Sequence, residues 1–416
     1  MKRYIKNLAF AGLGVAAVMS ATSCTDGFEK TNTDPNKIVV GEALPYHMLE
    51  PLIYNGANQR AYHTHAWSNE LVQFTAFTGG TTNQVHRYYL SNAEFDRDWK
   101  LFSRFAYNAT HMSDLAYQYE ESQGGDLYKV YKAIALLMKV MNLEDLTCLF
   151  GDIPYSEAFQ YRNGGTRYPK YDSQKDVYMQ MFEELEEANN LFQASSEFPR
   201  AELDGIYHGD IDKWRKFNNS LYLRLLCRIS GRDEELGGLV SEKMKEILSL
   251  PAKYPIFESN DDNATVTFTG TSPYQNYFYN TLATNFTTSS RKMTEQAVKM
   301  MVEVEKGVQG FEDPRLRIFY RKNKSKTENK ENIWIGVVAG SDPAGSSQSN
   351  PGSSILNFDV LCNSICPLTF MDYAEVEMIL AEMAYKGLID GGETAAKLHY
   401  ETAIRASCER WDAIRE

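Results

Sequence analysis

EFDRDWKLFSRFAYNATHMSDLAYQYEE at residues 94–121, followed across Gly124-Gly125 by DLYKVYKAIALLMKVMNLEDL at residues 126–146, is the stretch from which the fold is read. In the first segment Phe95, Trp99, Phe102, Ala106, Ala109 and Met112 recur at steps of three or four, the spacing that gathers side chains on one face of a helix. In the second, Val130, Ile134, Leu137, Met138 and Met141 form another such stripe. Each stripe needs an apolar partner, and the glycine pair between them allows a tight reversal. The two are therefore predicted to pack as an antiparallel hairpin.

Downstream, Gly151-Asp152-Ile153-Pro154-Tyr155 ends the second helix, because proline lacks an N–H and pushes its predecessor out of the helical region. Asp172-Ser173 is predicted to cap a helix reaching about residue 191, and Asp210 another over residues 211–230, where Trp214, Phe217, Leu221, Leu225 and Ile229 share a face. Between residues 254 and 340 the helical period fades. Val266 and Phe268 alternate with threonines, and Trp334, Ile335, Val337 and Val338 make a short apolar run, so a few short strands are expected among loops. Residues 340–354 read as a surface loop by composition. Beyond them, residues 373–386 and the spacing of Ala396, Tyr400 and Ala403 make a helix-turn-helix of the kind in which tetratricopeptide repeats pack small residues around a ring. No fixed-period repeat runs through the chain. The expected fold is mainly α: irregular tetratricopeptide-like helical hairpins with a loop-rich region carrying a few short strands.

The N-terminus carries a separate signal. Lys2, Arg3 and Lys6 precede an apolar run over residues 8–19, and the small residues Ala21-Thr22-Ser23 stand before Cys24. The run is about a dozen residues, short of the roughly 20 that a helix needs to span a bilayer, so residues 1–23 read as a cleaved export signal. A thiol at the cleavage point is the side chain able to take a thioether-linked diacylglycerol. The pattern resembles a bacterial lipoprotein lipobox, with Cys24 as the lipid attachment site, and Asp26 and Glu29 partly resemble the acidic surface-export signals of Bacteroidetes lipoproteins. Two or three acyl chains, at about 0.8 kcal/mol per buried methylene, hold a domain on a membrane where one chain does not. Residues 24–41, with Asn32-Thr33-Asp34-Pro35-Asn36, read as a tether, which leaves residues 42–416 as the folded domain.

Of the 416 residues 43% are apolar and 24% charged, enough for a sizeable core. The formal charge is −12, and loss of Lys2, Arg3 and Lys6 with the leader makes it −15. So acidic a surface repels nucleic acid and anionic lipid, which argues against nucleic acid as a partner and leaves the lipid anchor as the membrane contact. Of six cysteines, Cys362 and Cys366 are spaced to pair, while the three others after Cys24 read as buried helix positions, so no disulfide framework is expected. Aromatics reach 12%, tilted towards tyrosine, whose apolar face and polar tip suit binding at wet surfaces.

The chain carries no His-Glu-x-x-His, no Gly-x-Ser-x-Gly, no P-loop and no Gly-x-Gly-x-x-Gly after a strand, so no catalytic residue, metal site or cofactor is assigned. His63 and His65, two apart on a presumed helix, point in different directions and read as structural. Asp261-Asp262-Asn263 lacks the rest of a calcium loop and reads as a solvated turn. Glu183-Glu184 and Glu186-Glu187 read as helix surface. Arg224 and Arg228 read as scaffold cations paired with acidic groups such as Glu375 or Glu377 on another helix.

One ordered set of strings carries a resemblance. Phe28-Glu29-Lys30-Thr31-Asn32-Thr33-Asp34-Pro35-Asn36 follows Cys24, then come Gly151-Asp152-Ile153-Pro154-Tyr155-Ser156-Glu157-Ala158 and Trp214-Arg215-Lys216-Phe217-Asn218-Asn219-Ser220-Leu221 leading to Arg224-Leu225. Asp313-Pro314-Arg315-Leu316, Tyr373-Ala374-Glu375-Val376 and Ala381-Glu382 complete it. In this order the set resembles the SusD/RagB family of nutrient-binding outer-membrane lipoproteins. The resemblance implies a mostly helical fold on four irregular tetratricopeptide-like units. It also implies a partner, a SusC-like TonB-dependent transporter that the domain caps at the cell surface and to which it delivers glycan or, in some branches, peptide. It further implies another helical stretch and an Arg- and Pro-containing tail beyond Glu416. Two readings from other classes stand beside it. One is a lipid-anchored glycoside hydrolase or peptidase, since two unmarked carboxylates suffice for glycoside cleavage; the other is a structural transporter subunit with no ligand of its own.

A sugar platform needs exposed rings flanked by amides or guanidinium groups, on loops held by a rigid scaffold. Two segments have that composition. Residues 74–89 place Phe77, Asn83, Arg87, Tyr88 and Tyr89 around Gly79-Gly80, and residues 274–291 carry Tyr274, Asn276, Tyr277, Tyr279 and Asn285. Each ring also has the plain reading of a half-buried loop anchor. The resemblance places the pocket in the same loop-rich part, away from the tetratricopeptide-like helices.

Overall fold

Apolar stripes at helical spacing become α1 (Gly56–His63), α2 (Asn92–Gln123), α3 (Lys129–Phe150), α4 (Gln174–Ala194), α5 (Ile211–Arg228), α6 (Leu239–Ser249), α7 (Tyr373–Tyr385) and α8 (Gly392–Arg415) in the computed structural model. The structure describes residues 43–78, 85–281, 291–305, 308–324, 331–340 and 353–415. The leader, Cys24, the tether, Gly79-Gly80, Asn83, Asn285 and most of the 340–354 loop lie outside the described residues.

The hairpin forms where it was expected. Gly124 and Gly125 have φ of 73° and 77°, a left-handed turn that a side chain resists. The Gly124 N–H closes α2 on the Glu120 carbonyl at 2.9 Å. Phe102, Ala106, Ala109 and Met112 of α2 then bury against Val130, Ile134, Leu137, Met138 and Met141 of α3. Removing a leucine- or phenylalanine-sized side chain from water in this way contributes about 1.5–3 kcal/mol. The pattern repeats: α3 packs on α4, α4 on α5 and α7 on α8, while α5 also touches α6 and α7, so these helical hairpins share one core. The helix starts at Ser173 and Asp210 are capped as the sequence indicates, and a third cap forms at Asp372. The Ser173 hydroxyl accepts from the Asp176 N–H, Asp210 from that of Lys213, and Asp372 from that of Glu375. The Gly151 turn is held by the Asp172 carboxylate, which accepts from the Tyr155 and Ser156 N–H groups and from the Ser156 hydroxyl.

The loop-rich part carries ten short strands among the described residues: β1 (Thr75–Phe77), β2 (Ala264–Val266), β3 (Arg291–Met293), β4 (Val302–Glu305), β5 (Val308–Glu312), β6 (Tyr320–Arg321), β7 (Asn323–Lys324), β8 (Glu331–Ile333), β9 (Ile355–Leu356) and β10 (Leu368–Met371). They form a four-stranded sheet in the order β1-β3-β9-β6 and three two-stranded pairs, β10-β2, β4-β5 and β7-β8. The strand pairings within these sheets are antiparallel.

Several local readings need correction. The apolar run at Trp334 forms no continuous strand: the Gln309 side chain takes the Trp334 N–H, at 2.8 Å, and its carbonyl, at 2.7 Å, while Val337 makes an isolated parallel bridge to Thr294; β8 lies just before it. Ala396 and Ala403 bury, but Tyr400 is 53% exposed, so the ring lies outside the contact the two alanines make. Arg224 does pair with Glu375, at 2.5 and 2.7 Å. Arg228 instead reaches Glu144 on α3, at 2.5 Å. Glu184 and Glu186 are not idle surface: they tie α4 to Lys139 and Tyr155, and to Lys243 and Tyr254. Asp262 is buried, accepting from the Glu258 N–H and from Lys216, so its turn is a packed one. Cys362 and Cys366 are buried free thiols, and Cys148 is exposed on α3 where burial was expected.

Candidate functional site

Residues 69–78 and 274–279 meet through α1, the turns that follow it, and β3. The Asn58 side chain of α1 accepts from the Tyr277 N–H at 2.9 Å and donates to the Gln275 carbonyl at 3.3 Å, fixing the second segment to the helix. On the first segment, β1 pairs with β3 so that Phe77 stands opposite Arg291. The guanidinium lies 5.3 Å from the Phe77 ring centre.

Arg291 is the joint between them. Its Nε donates to Glu70 Oε1 at 2.9 Å and its Nη1 to His65 Nε2 at 3.2 Å. His65 in turn meets the Phe278 ring edge-on at 5.3 Å, Phe278 meets Tyr277 at 5.7 Å, and Tyr277 meets Tyr62, itself under the Arg97 guanidinium at 4.5 Å. Accepting from Arg291 requires a neutral His65, and burial with Arg291 beside it pushes that imidazole down to about 3. Burial raises the Glu70 carboxyl, opposed by Arg291 and by the His86 N–H, 3.2 Å away. The His86 ring accepts from the Gly340 N–H at 3.0 Å and donates from Nε2 to the Phe77 carbonyl at 3.2 Å, so the turn at Gly340 is sewn to β1. Burial lowers its basicity and favours this neutral form.

The sequence-derived candidates fall into two groups on this frame. Arg87, Tyr88, Tyr89 and Tyr279 are exposed, the tyrosines by 65%, 60% and 46%. Tyr88 adopts φ 58°, a costly backbone for a bulky residue, which holds its ring outward at the end of a short turn. Phe77, Tyr274 and Tyr277 are half-buried, Tyr274 against Tyr54 at 4.7 Å and Tyr277 against Tyr62 at 5.6 Å. Asn276 is buried and spends its amide on the backbone, donating to the Cys366 carbonyl and accepting from the Phe278 N–H, both at 2.8 Å. The network of His65, Glu70, His86 and Arg291 was not read from the sequence, because its members are scattered over more than 200 positions and converge only through the β1-β3 pairing.

Beside this frame opens a cavity of about 550 Å³. Phe74, Asn276 and Phe278 line it from the two segments, Asp313 and Arg315 from the turn after β5, and Arg410 and Trp411 from α8. Asp313-Pro314-Arg315-Leu316 was legible as a motif, but nothing in the string points to a cavity wall. Among the described residues no group of three His, Cys, Asp or Glu side chains stands where it would hold a metal ion. Among them, too, no helix is long and apolar enough to cross a membrane.

A family of SusD-like proteins, described as starch-binding and associating with the outer membrane, matches residues 35–416. The chain belongs to the SusD-like family. Solved structures agree on the fold. An outer-membrane protein of Bacteroides vulgatus ascribed to nutrient binding superposes with a TM-score of 0.71 at 25% identity, over 89% of this chain and 75% of that one. A SusD homologue from Parabacteroides distasonis gives 0.69 at 22%, over 90% and 74%. A chitin-binding SusD homologue from Flavobacterium johnsoniae gives 0.64 at 21%, over 88% and 71%. No curated protein matches the chain. The mainly helical, tetratricopeptide-like architecture expected of SusD-like proteins is the one described above, with the strands confined to the part that carries the candidate residues.

Proposed function

We propose that this SusD-like protein is anchored through Cys24 at the outer surface of the outer membrane, binds glycan or peptide nutrients with its loop-rich face, and passes them to a SusC-like TonB-dependent transporter. The observation that carries this reading is the family match over residues 35–416, which spans nearly the whole domain behind the lipobox. The nutrient-binding and chitin-binding neighbours support a ligand of that class. At residue level, Arg87, Tyr88, Tyr89 and Tyr279 offer rings and a guanidinium to solvent, on backbone braced by the Arg291 network. Such rings stack on the apolar faces of sugars without needing to reorganise.

Isothermal titration of the purified mature protein against starch- and chitin-derived oligosaccharides tests this, with product analysis alongside. Affinity with unaltered ligand is the expected result, whereas new reducing ends would make the protein a hydrolase. Tyr88→Ala and Tyr277→Ala separate platform from packing. The exposed Tyr88 ring should cost about 1 kcal/mol of ligand affinity when removed and leave the melting temperature nearly unchanged. The Tyr277 ring, packed on Tyr62 and Phe278, should cost roughly 3 kcal/mol of stability. If Tyr88→Ala binds every ligand as the parent does, the platform lies elsewhere.

Anchoring has its own test. Cys24→Ala removes the acylation point, and membrane fractionation of cells lacking the transporter partner should find the variant released from the outer membrane. Retention there would refute the lipobox reading.

A further inference from the structure

The loop that follows the Gly151 turn inverts the charge of the chain. Residues 158–171 hold Arg162, Arg167 and Lys170 and no acidic residue, in a protein of formal charge −12. The same stretch carries Tyr161, Tyr168 and Tyr171, exposed by 63%, 83% and 64%. Single exposed rings are ordinary on a protein surface, but three on one short loop are not. Nor is the loop slack. Gly164 makes a tight turn at φ 85°, the Gly165 N–H reaches the Gln160 carbonyl at 2.9 Å, and the Glu157 carboxylate accepts from the Lys170 N–H at 3.1 Å. Asn163 donates to Asp114 of α2 at 3.2 Å, and the Tyr171 ring lies 6.4 Å from Trp99 of α2, only 20° from parallel. The exposed rings therefore stand on a backbone that is braced against α2.

The charge of the loop is not cancelled locally. Lys170 leans on Asp172 at 3.4 Å, but the two arginines meet no carboxylate among the described residues. Arg162 Nη1 is held by two neutral acceptors of α2, the Tyr107 hydroxyl at 3.0 Å and His111 Nε2 at 3.2 Å. Burial, with Arg162 beside it, lowers the His111 imidazole and keeps it a neutral acceptor. Arg167 is exposed and has no hydrogen bond or ion pair among the described residues. Tyrosine faces take the apolar face of a sugar ring, and a guanidinium takes a planar carboxylate through two parallel N–H groups. A ligand that carries both, ring after ring, is a glycan of uronic acids. A bilayer fits less well, because the exposed large apolar side chains of the loop are tyrosines alone, with no aliphatic wedge to insert. An acidic peptide would find no strand edge to extend, since the only ladder here is the single Ile153–Asp172 bridge. We propose that the 159–171 loop, on its α2 support, is a second binding site, which takes a carboxylate-bearing glycan with its rings on Tyr161, Tyr168 and Tyr171 and its carboxylates on Arg162 and Arg167. The proposal rests on the glycan side of the nutrient-binding reading. It lies outside the two loop segments considered above and adds a charge that starch and chitin lack.

The test sets the mature protein against four probes by titration calorimetry: an oligogalacturonate, the same oligosaccharide as its neutral methyl ester, polyglutamate of matching charge, and a chitin-derived oligosaccharide. The oligogalacturonate is expected to bind about tenfold or more tightly than its ester, which cannot make the charged bidentate contact with an arginine. Arg167→Glu, at a side chain with no partner to lose, should weaken the acid by about tenfold or more, and Tyr168→Ala by about fivefold. Both positions are exposed, and thermal melts check that the variants remain folded. Tyr88→Ala, on the loop-rich face, should leave binding of the acid as it is. An ester that binds as well as the acid, or polyglutamate that binds as well as the oligogalacturonate, overturns the proposal. So does binding of the acid that ignores both loop variants, or that is lost with Tyr88→Ala; in the latter case the uronate lies on the loop-rich face and the nutrient-binding reading stands. Binding of the chitin-derived probe without binding of the acid likewise overturns this site alone, whereas failure of all three sugars counts against both readings.

Discussion

Arg291→Ala is expected to destabilise the folded domain by about 3–5 kcal/mol at neutral pH, the usual cost of removing one partner from a buried ion pair. Glu70 is fully buried, and Arg291 supplies its charged partner at 2.9 Å. Without the guanidinium, Glu70 retains the His86 N–H but no neutralising charge. The loss is therefore pH-dependent in a definite direction. Burial already raises the Glu70 carboxyl, and Arg291 is the largest influence opposing that rise, so the variant's carboxyl sits higher still. A group raised in the folded state holds its proton more tightly there than in the unfolded chain. The variant should then be least impaired below the ordinary glutamate value of about 4.3 and lose stability as pH rises through the raised folded value. Urea unfolding at several pH values between about 4 and 7 measures this, and a penalty that does not grow with pH would show that Glu70 is not the group left behind. Arg291→Ala/Glu70→Gln removes the buried charge together with its partner and should recover part of the loss. Because Arg291 also orients Phe77 and His65, both loop segments are expected to loosen together, which protease cleavage near residues 74–89 and 274–291 would report.

Much of the helical architecture was legible because its signals are local. The stripe through Phe102 and Met112, the Gly124-Gly125 reversal and the caps at Ser173 and Asp210 each depend on residues within a turn or two of one another. Where a neighbour distant in sequence decides, the reading was uneven: Arg224 meets Glu375 as expected, but other pairings went elsewhere. Gln309 occupies the edge of Trp334 that a strand would have used, and Glu144 claims Arg228 from Glu375 and Glu377. The same contrast runs through the candidate site. Its ring-rich composition announced itself in the two loop segments. Which rings face water did not, since Tyr88 and Tyr277 have similar sequence surroundings and differ only in whether another element, here Tyr62 of α1, lies against them. The cavity left still less trace: its walls come from α1, the segment around Phe278, the turn after β5, β10 and α8, and no short window contains two of those contributions.

Trp214→Ala should be among the most damaging single changes in the helical part, for reasons that combine shape and hydrogen bonding. The ring is fully buried on α5, edge-on to Tyr207 at 5.5 Å and 6.1 Å from Phe217. Its truncation leaves a cavity, at about 3–5 kcal/mol. Its Nε1 also donates to Asp204 at 2.8 Å, and Asp204 is buried with its carboxylate accepting from the Ile206, Tyr207 and Gly209 N–H groups. That set of donors substitutes for water around a buried charge, so deleting one adds about 1–3 kcal/mol. Trp214→Phe separates the two contributions: most of the volume stays and the donor goes, so its cost should be close to the hydrogen-bond share alone. Urea unfolding of the parent, Trp214→Phe and Trp214→Ala should give that order of stability. If Trp214→Phe is as stable as the parent, the bond to Asp204 contributes little and packing carries the effect; if it is as damaging as Trp214→Ala, the buried carboxylate governs this corner of the core. In either folded variant the exposed tyrosines are far from the change in sequence and in element, so ligand affinity per folded molecule should be unaltered.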